Sequence, residues 1–284
     1  YPPVKQFARD VLGKLGIEVD VFDPTDLVDL QRRIRPGVTK LIWLESPGST
    51  SMEVCDMPEI AQMAHDVGAL VGCDNTWATA LLCKPLTLGV DIVAEALTKY
   101  VSGHSDILLG SISVSHYALY EKVENVLGIS GVGVSPDTCS LALRGIETMA
   151  LRLRHVEAVA YDFACKLTAR PGIAAVLHPA LPANPGYAFW RRDFTGSSGV
   201  FTLRIDDASQ ATVDQALDSL QTFSIGFSWG GTHSLVVPMA LDNDRERLPV
   251  AKGATYLRFS IGLEAPEALW RDLDTLCTLL AQGQ

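Results

Sequence analysis

The 284-residue chain has no apolar run of the roughly 18 residues that a membrane helix requires, and no basic-then-apolar start that would mark a secretory leader. It reads as a cytoplasmic protein. It is also short of positive charge: 23 Lys and Arg stand against 33 Asp and Glu, a net charge of −10, and no basic run interleaves with aromatics. That balance argues against nucleic acid and anionic membranes as partners. No Cys-x-x-Cys pair occurs among the six cysteines, at 55, 73, 83, 139, 165 and 277. They read as reduced, buried thiols rather than metal ligands or disulfides. Internal repeats and low-complexity tracts are absent as well.

What is present, up to about residue 115, is an alternation of short apolar runs with helical or turn sequence. Strands are predicted at 17–22, 40–44, 69–73, 91–94 and 107–114. Between the second and third, a helix is predicted from Asp56 as N-cap, Pro58 in the first turn, Glu59 as capping-box partner and Gly68 as the stop. Such alternation implies a mostly parallel sheet. From Ser135-Pro136-Asp137 a long helix rich in Leu, Ala and Arg runs to Pro171-Gly172. Beyond it, strands are predicted near 173–178, 199–205, 234–237 and 255–261, with helices beginning near Ser209 and Pro266. The length exceeds one typical domain, and the change of pattern places a boundary inside the long helix, giving units 1–145 and 146–284.

Chemistry concentrates at the ends of two predicted strands. Leu70-Val71-Gly72-Cys73 leads into Asp74-Asn75-Thr76, and Asp91-Ile92-Val93-Ala94 leads to Lys99, 25 positions after Asp74. Parallel sheets bind ligands at their carboxyl ends. A lysine amine there can form a Schiff base, and an aspartate one strand away can keep a pyridine nitrogen protonated. The pair points to pyridoxal 5′-phosphate acting as an electron sink. Each residue alone also has an ordinary reading, as a surface lysine or a turn aspartate.

Asp74-Asn75-Thr76 followed by Thr98-Lys99-Tyr100-Val101-Ser102-Gly103-His104 resembles the Cys/Met-metabolism family of pyridoxal phosphate enzymes. So do Glu45-Ser46-Pro47-Gly48-Ser49, Arg144-Gly145-Ile146-Glu147-Thr148 and Leu257-Arg258-Phe259-Ser260-Ile261-Gly262-Leu263-Glu264, and the resemblance covers essentially every residue. Within the family, Phe189-Trp190 with Asp193-Phe194-Thr195-Gly196-Ser197-Ser198-Gly199, and Phe227-Ser228-Trp229-Gly230-Gly231, are most similar to the bacterial cystathionine β-lyases. The γ-synthases and γ-lyases usually carry leucine after that serine.

The resemblance implies a fold-type-I, transferase-like α/β fold: a mostly parallel sheet domain, incomplete at its N-terminus, plus a smaller α+β C-terminal domain. It implies Lys99 as Schiff-base lysine and general base, and Asp74 as partner of the ring nitrogen. Thr98 is implied as a phosphate contact, Tyr1 as a ring-stacking residue that assists amine exchange, and Ser49 and Thr76 as further cofactor contacts. Arg258, whose fork suits a carboxylate, and Ser228 are implied for the substrate α-carboxylate, with Trp229 as a pocket wall. His104 and Asp106 are expected to brace the loop after Lys99. His233 departs from the family's usual glutamate and is expected near the pocket mouth.

The implied activity is β-elimination of L-cystathionine to homocysteine, pyruvate and ammonia, a step of methionine biosynthesis. On the same fold, a cystathionine γ-lyase or γ-synthase and a broader cysteine-S-conjugate lyase are the alternatives. The family places on the order of a hundred residues ahead of the position of Tyr1, about a small domain. These include a phosphate-binding Gly-Met turn and a Tyr-x-Arg segment that reaches a neighbouring subunit's site. The expectation is an incomplete cofactor site, completed by a longer chain or a separate N-terminal piece. An inactive truncated subunit is the remaining alternative. A homodimer or tetramer is implied by the family.

Overall fold

The computed structural model describes residues 1–239, 241, 251 and 253–282. It opens with α1 (Pro2–Phe7), which continues in helical turns to Leu15, and α2 (Leu27–Arg33). A first sheet follows, in the spatial order β1 (Leu41–Glu45), β2 (Leu70–Asp74), β3 (Ile92–Ala96) and β4 (Gly110–Val114). The first three strands are parallel, with Glu45 registered on Asp74 and Asp74 on Ala94, so their carboxyl ends lie side by side. The crossover from β1 to β2 is α3 (Met57–Asp66). Its Asp56 carboxylate accepts the Glu59 N–H at 3.4 Å, and Gly68 closes it with φ 75°. The helix buries Met57, Ile60, Ala61 and Ala64, and the short α4 (Thr79–Leu82) lies between β2 and β3.

Two predicted elements are corrected. Residues 17–22 form no strand: Ile17 and Val19 stay exposed, while the Glu18 and Asp20 carboxylates pair with Arg35 and Arg33 at 2.7 and 2.8 Å. Side-chain ion pairs thus tie this segment to the end of α2. The strand predicted over 107–114 begins only at Gly110, because the Leu109 backbone is taken up by Thr98. It also runs antiparallel to β3, since the connection from Ala96 is a loop with turns and no crossover helix.

Next come α5 (Tyr117–Ile129), which no predicted element covers and which buries only Leu119, and α6 (Pro136–Leu167), started by Ser135 accepting the Asp137 N–H. At 1.5 Å per residue, α6 is about 48 Å long. It leads to a second sheet of β5 (Ala175–Leu177), β6 (Val200–Ile205), β7 (Ser224–Ile225), β8 (Leu235–Met239) and β9 (Thr255–Ser260), in the order β5-β6-β9-β8-β7. All its pairings are antiparallel except β7 with β8. Alongside are α7 (Tyr187–Asp193), α8 (Gln210–Asp218) and α9 (Pro266–Gln282). The core of this half stacks Phe201 on Phe259 at 5.5 Å, with Phe223 edge-on to Phe259. Buried Asp272 of α9 accepts the N–H groups of Gln221, Thr222 and Phe223 and so fixes the entry to β7.

Among the described residues no helix is long and apolar enough to cross a membrane. All six cysteines are free; 55, 73, 83 and 277 are buried, whereas 139 and 165 are exposed.

His178, just after β5, is fully buried. Its Nδ1 accepts the Ala180 N–H at 3.1 Å, its Nε2 has no partner among the described residues, and burial lowers its pKa from 6.5 to about 4. Because the folded value lies below the unfolded one, the neutral ring's contribution is complete above pH 6.5 and is lost as pH falls toward 4. The gap corresponds to roughly 3 kcal/mol. Thermal melts of His178→Asn, whose Oδ1 can take the Ala180 N–H, are expected to lose this part of the acid dependence. An unchanged acid slope would count against it.

Candidate active site

β3 delivers Lys99 on a tight turn closed by three backbone bonds: Lys99 N–H to Ala96 O at 3.0 Å, Ser102 N–H to Leu97 O at 2.9 Å and Gly103 N–H to Lys99 O at 2.8 Å. The Lys99 amine donates to Ser228 Oγ at 2.7 Å and lies 5.2 Å from the centre of the Trp229 ring. Trp229 in turn packs on Tyr100 at 5.4 Å. Gly230, at φ +83°, permits this approach, since a Cβ there would stand 3.1 Å from the Lys99 backbone. Partial burial, and then the charge of Arg258, pull the Lys99 pKa below the ordinary lysine value. That shift favours the neutral, nucleophilic amine.

Arg258 projects from β9 and is 4% exposed. Its guanidinium donates to Phe227 O at 2.6 Å and Ser49 O at 3.2 Å, and lies 5.1 Å from the Phe227 ring centre. Burial lowers its pKa, opposed by Glu45 and Tyr1, yet a guanidinium stays charged. It therefore joins a loop after β1 to one before β8, and its charged planar fork has the shape to bind a carboxylate.

Asp74 ends β2 with Oδ1 accepting the Thr76 N–H at 2.9 Å, and Thr76 Oγ1 accepts the Ala96 N–H at 2.9 Å. These bonds lock the aspartate turn to the end of β3. Glu95 on β3 carries no signal in the sequence pattern: one of its oxygens is buried without a partner among the described residues. Burial pushes its pKa up to about 7, opposed by the Ala80 N–H and aided by Asp74.

The Thr98 hydroxyl donates to Leu109 O at 3.2 Å and accepts Leu109 N–H at 3.0 Å, so its proton is committed. Tyr1 and Ser49 line a cleft of about 460 Å³ together with Trp43, Glu45, Thr50 and Met239, and the Tyr1 amino group contacts the Glu45 carboxylate. Lys99, Asp74 and Arg258 are not among the residues lining this cleft, which lies beside the carboxyl end of β1. His233 is exposed, its Nδ1 3.1 Å from Thr232 Oγ1, while Glu264 clamps the adjoining Ser234 through its N–H and hydroxyl. His104 and Asp106 are exposed, and His104 touches the turn with Nδ1 2.5 Å from Ser102 O. The bracing expected of that pair falls mainly to Arg152 of α6, which donates to Tyr100 O and Val101 O.

The donor set suits the ring of pyridoxal phosphate: a half-buried amine of lowered pKa, and a carboxylate at the next strand end. It provides less for the phosphate, because the hydroxyl beside Lys99 is engaged with Leu109. A lysine and an aspartate at the carboxyl ends of neighbouring parallel strands, with an arginine reaching in from an antiparallel lobe, are the arrangement of a fold-type-I pyridoxal phosphate enzyme. The chain belongs to the Cys/Met metabolism family of PLP-dependent enzymes, whose sequence profile matches residues 1–277.

It is 41% identical over 281 residues to a putative cystathionine beta-lyase of Rhizobium johnstonii, covering 96% of this chain and 69% of that protein. It is 38% identical over 283 residues to the cystathionine beta-lyase of Salmonella typhimurium, covering 96% and 70%. The crystal structure of cystathionine gamma-lyase from Lactobacillus plantarum complexed with L-serine superposes with a TM-score of 0.90 at 27% identity, over 100% of this chain and 75% of that one. The family depends on pyridoxal phosphate, and the chain is similar to proteins of both the beta-lyase and the gamma-lyase type.

Proposed function

We propose that the protein is a carbon–sulfur lyase that cleaves L-cystathionine by β-elimination to homocysteine, pyruvate and ammonia. The observation that carries this reading is the Lys99 amine held at 2.7 Å by Ser228 against Trp229. One amine base set against a tryptophan wall suits a reaction that needs a proton moved from Cα to the departing sulfur. The resemblance that puts tryptophan where γ-acting relatives carry leucine supports the same choice.

Bound at this turn, pyridoxal phosphate supplies a sink for the electron pair left at Cα. Asp74 holds the proton of the ring nitrogen, and Arg258, aided by Ser228, binds the substrate α-carboxylate and orients Cα–H toward Lys99. The neutral Lys99 amine takes the Cα proton and then gives it to the sulfur as the Cβ–S bond breaks with its electron pair going to sulfur. The products are the thiol of homocysteine and 2-aminoacrylate, which water converts to pyruvate and ammonia. Residues 1–145 are read as the cofactor unit and 146–284 as the substrate-closing unit. A homo-oligomer is proposed on the family resemblance and on exposed apolar side chains that include Leu108, Val126, Ile129 and Leu143, and a cytoplasmic location on the sequence reading.

The test is product analysis with L-cystathionine and cofactor-loaded protein. Pyruvate with homocysteine is expected. 2-Oxobutyrate with cysteine would replace β-elimination by γ-elimination.

A further inference from the structure

We propose that Arg152 is a positioning residue for Lys99: a buried cation whose hydrogen bonds to the following carbonyls fix the turn that presents the amine. The proposal rests on the reading of Lys99 as the lysine that joins the cofactor.

Arg152 lies on α6 and is 8% exposed. Its Nη1 donates to Tyr100 O at 2.8 Å, its Nη2 to Gly145 O at 2.7 Å and Val101 O at 3.4 Å, and its Nε to Thr148 Oγ1 at 3.1 Å. Tyr100 and Val101 are the two residues directly after Lys99. None of these partners is a carboxylate, so among the described residues the guanidinium's hydrogen bonds go to backbone carbonyls and one hydroxyl. Burial lowers the Arg152 pKa accordingly. Removing a guanidinium from water at this cost is disfavoured unless its directed bonds are all made.

The turn is shaped to receive the guanidinium. Gly103 has φ +68°, and a Cβ there would fall 2.0 Å from Arg152 Nη1, so only glycine leaves the space. One planar fork therefore spans two backbone segments, the Lys99 turn and the early part of α6. A lysine at 152 offers a compact point charge and cannot hold Tyr100 O and Gly145 O in the same plane. Nothing ties Arg152 to the reacting atoms themselves. It acts through the placement of Lys99, whose amine sits 2.7 Å from Ser228 Oγ. Misplacement of a reacting group by about 1 Å costs on the order of 10²-fold in rate.

The experiment compares Arg152→Lys with wild type in the full, cofactor-loaded protein. It records melting temperature, the rate at which apoprotein takes up pyridoxal phosphate, the pyridoxyl content of Lys99 after borohydride reduction, and kcat and KM for L-cystathionine. Expected are slower uptake and a kcat per loaded site about 10- to 100-fold lower, with KM within about threefold. A lower melting temperature with wild-type uptake and wild-type kcat per loaded site would reduce Arg152 to a brace of the fold and overturn the proposal.

If that variant does not accumulate folded, Thr148→Val removes the acceptor of Arg152 Nε, together with the hydroxyl's own 3.3 Å bond to Gly145 O, and leaves the guanidinium in place. A fall of about 3- to 10-fold in kcat with KM unchanged is then expected, and wild-type kcat overturns the proposal. Wild-type protein lacking pyridoxyl at Lys99 would overturn the assignment of Lys99 and this inference with it. Pyridoxyl at Lys99 in both proteins with equal kinetics would overturn the inference alone.

Discussion

Lys99→Ala is expected to lower kcat for cystathionine cleavage by about 10³-fold or more while leaving the protein folded. On the proposed function, the substitution removes the nucleophile that joins the cofactor and the base that moves the proton from Cα to sulfur, two roles of one nitrogen. The amine sits in a half-exposed position, and its side-chain contacts are Ser228 Oγ and the face of Trp229. Its loss opens no buried cavity and leaves no buried charge, so stability is expected to change by less than about 1 kcal/mol. A small primary amine such as methylamine, which can enter the vacated space, is expected to restore part of the rate. Retention of more than a tenth of wild-type kcat without added amine would remove Lys99 from the chemistry.

Arg258→Ala is expected to lower kcat/KM by about 10²- to 10³-fold, or roughly 3–4 kcal/mol, with much of the loss in KM. The guanidinium is the buried cation closest to Lys99 in influence, being the charge that adds to burial in lowering the Lys99 pKa. Its removal strands the carbonyls of Phe227 and Ser49, so a lower melting temperature is also expected. Arg258→Lys keeps the charge without the fork and should fall between. The discriminating control is a cysteamine-derived thioether, which has no α-carboxylate. Wild type and variant are expected to handle it equally poorly, and a further drop in the variant would assign Arg258 a purely structural role.

Much of this site was legible because parallel strands announce themselves as apolar runs that stop at polar residues. Asp74 and Lys99 were placed at adjacent strand ends from that pattern, and the register of Asp74 on Ala94 puts them there. The Asp56 cap and the extent of α6 from Ser135 were equally local signals. The direction of β4 was not local: it depends on Thr98 holding Leu109 and on the missing crossover helix. The apolar residues of 17–22 look like a strand, but strand formation needs a neighbouring edge, and ion pairs to Arg33 and Arg35 hold the segment instead. α5 escaped notice because a helix that buries one residue has a weak apolar stripe. Arg152 was invisible for a different reason. Its partner Tyr100 is 52 positions away, and only a glycine at 103 and an arginine one turn beyond Thr148 hinted at the contact.

The measurement that bears most directly on the central claim is peptide mass spectrometry of the purified protein after borohydride reduction. A pyridoxyl group on the Lys99 peptide, and on no other lysine, is the expected result. Pyridoxyl on a different lysine such as Lys84, or an unmodified Lys99 in protein that turns over cystathionine, would contradict it.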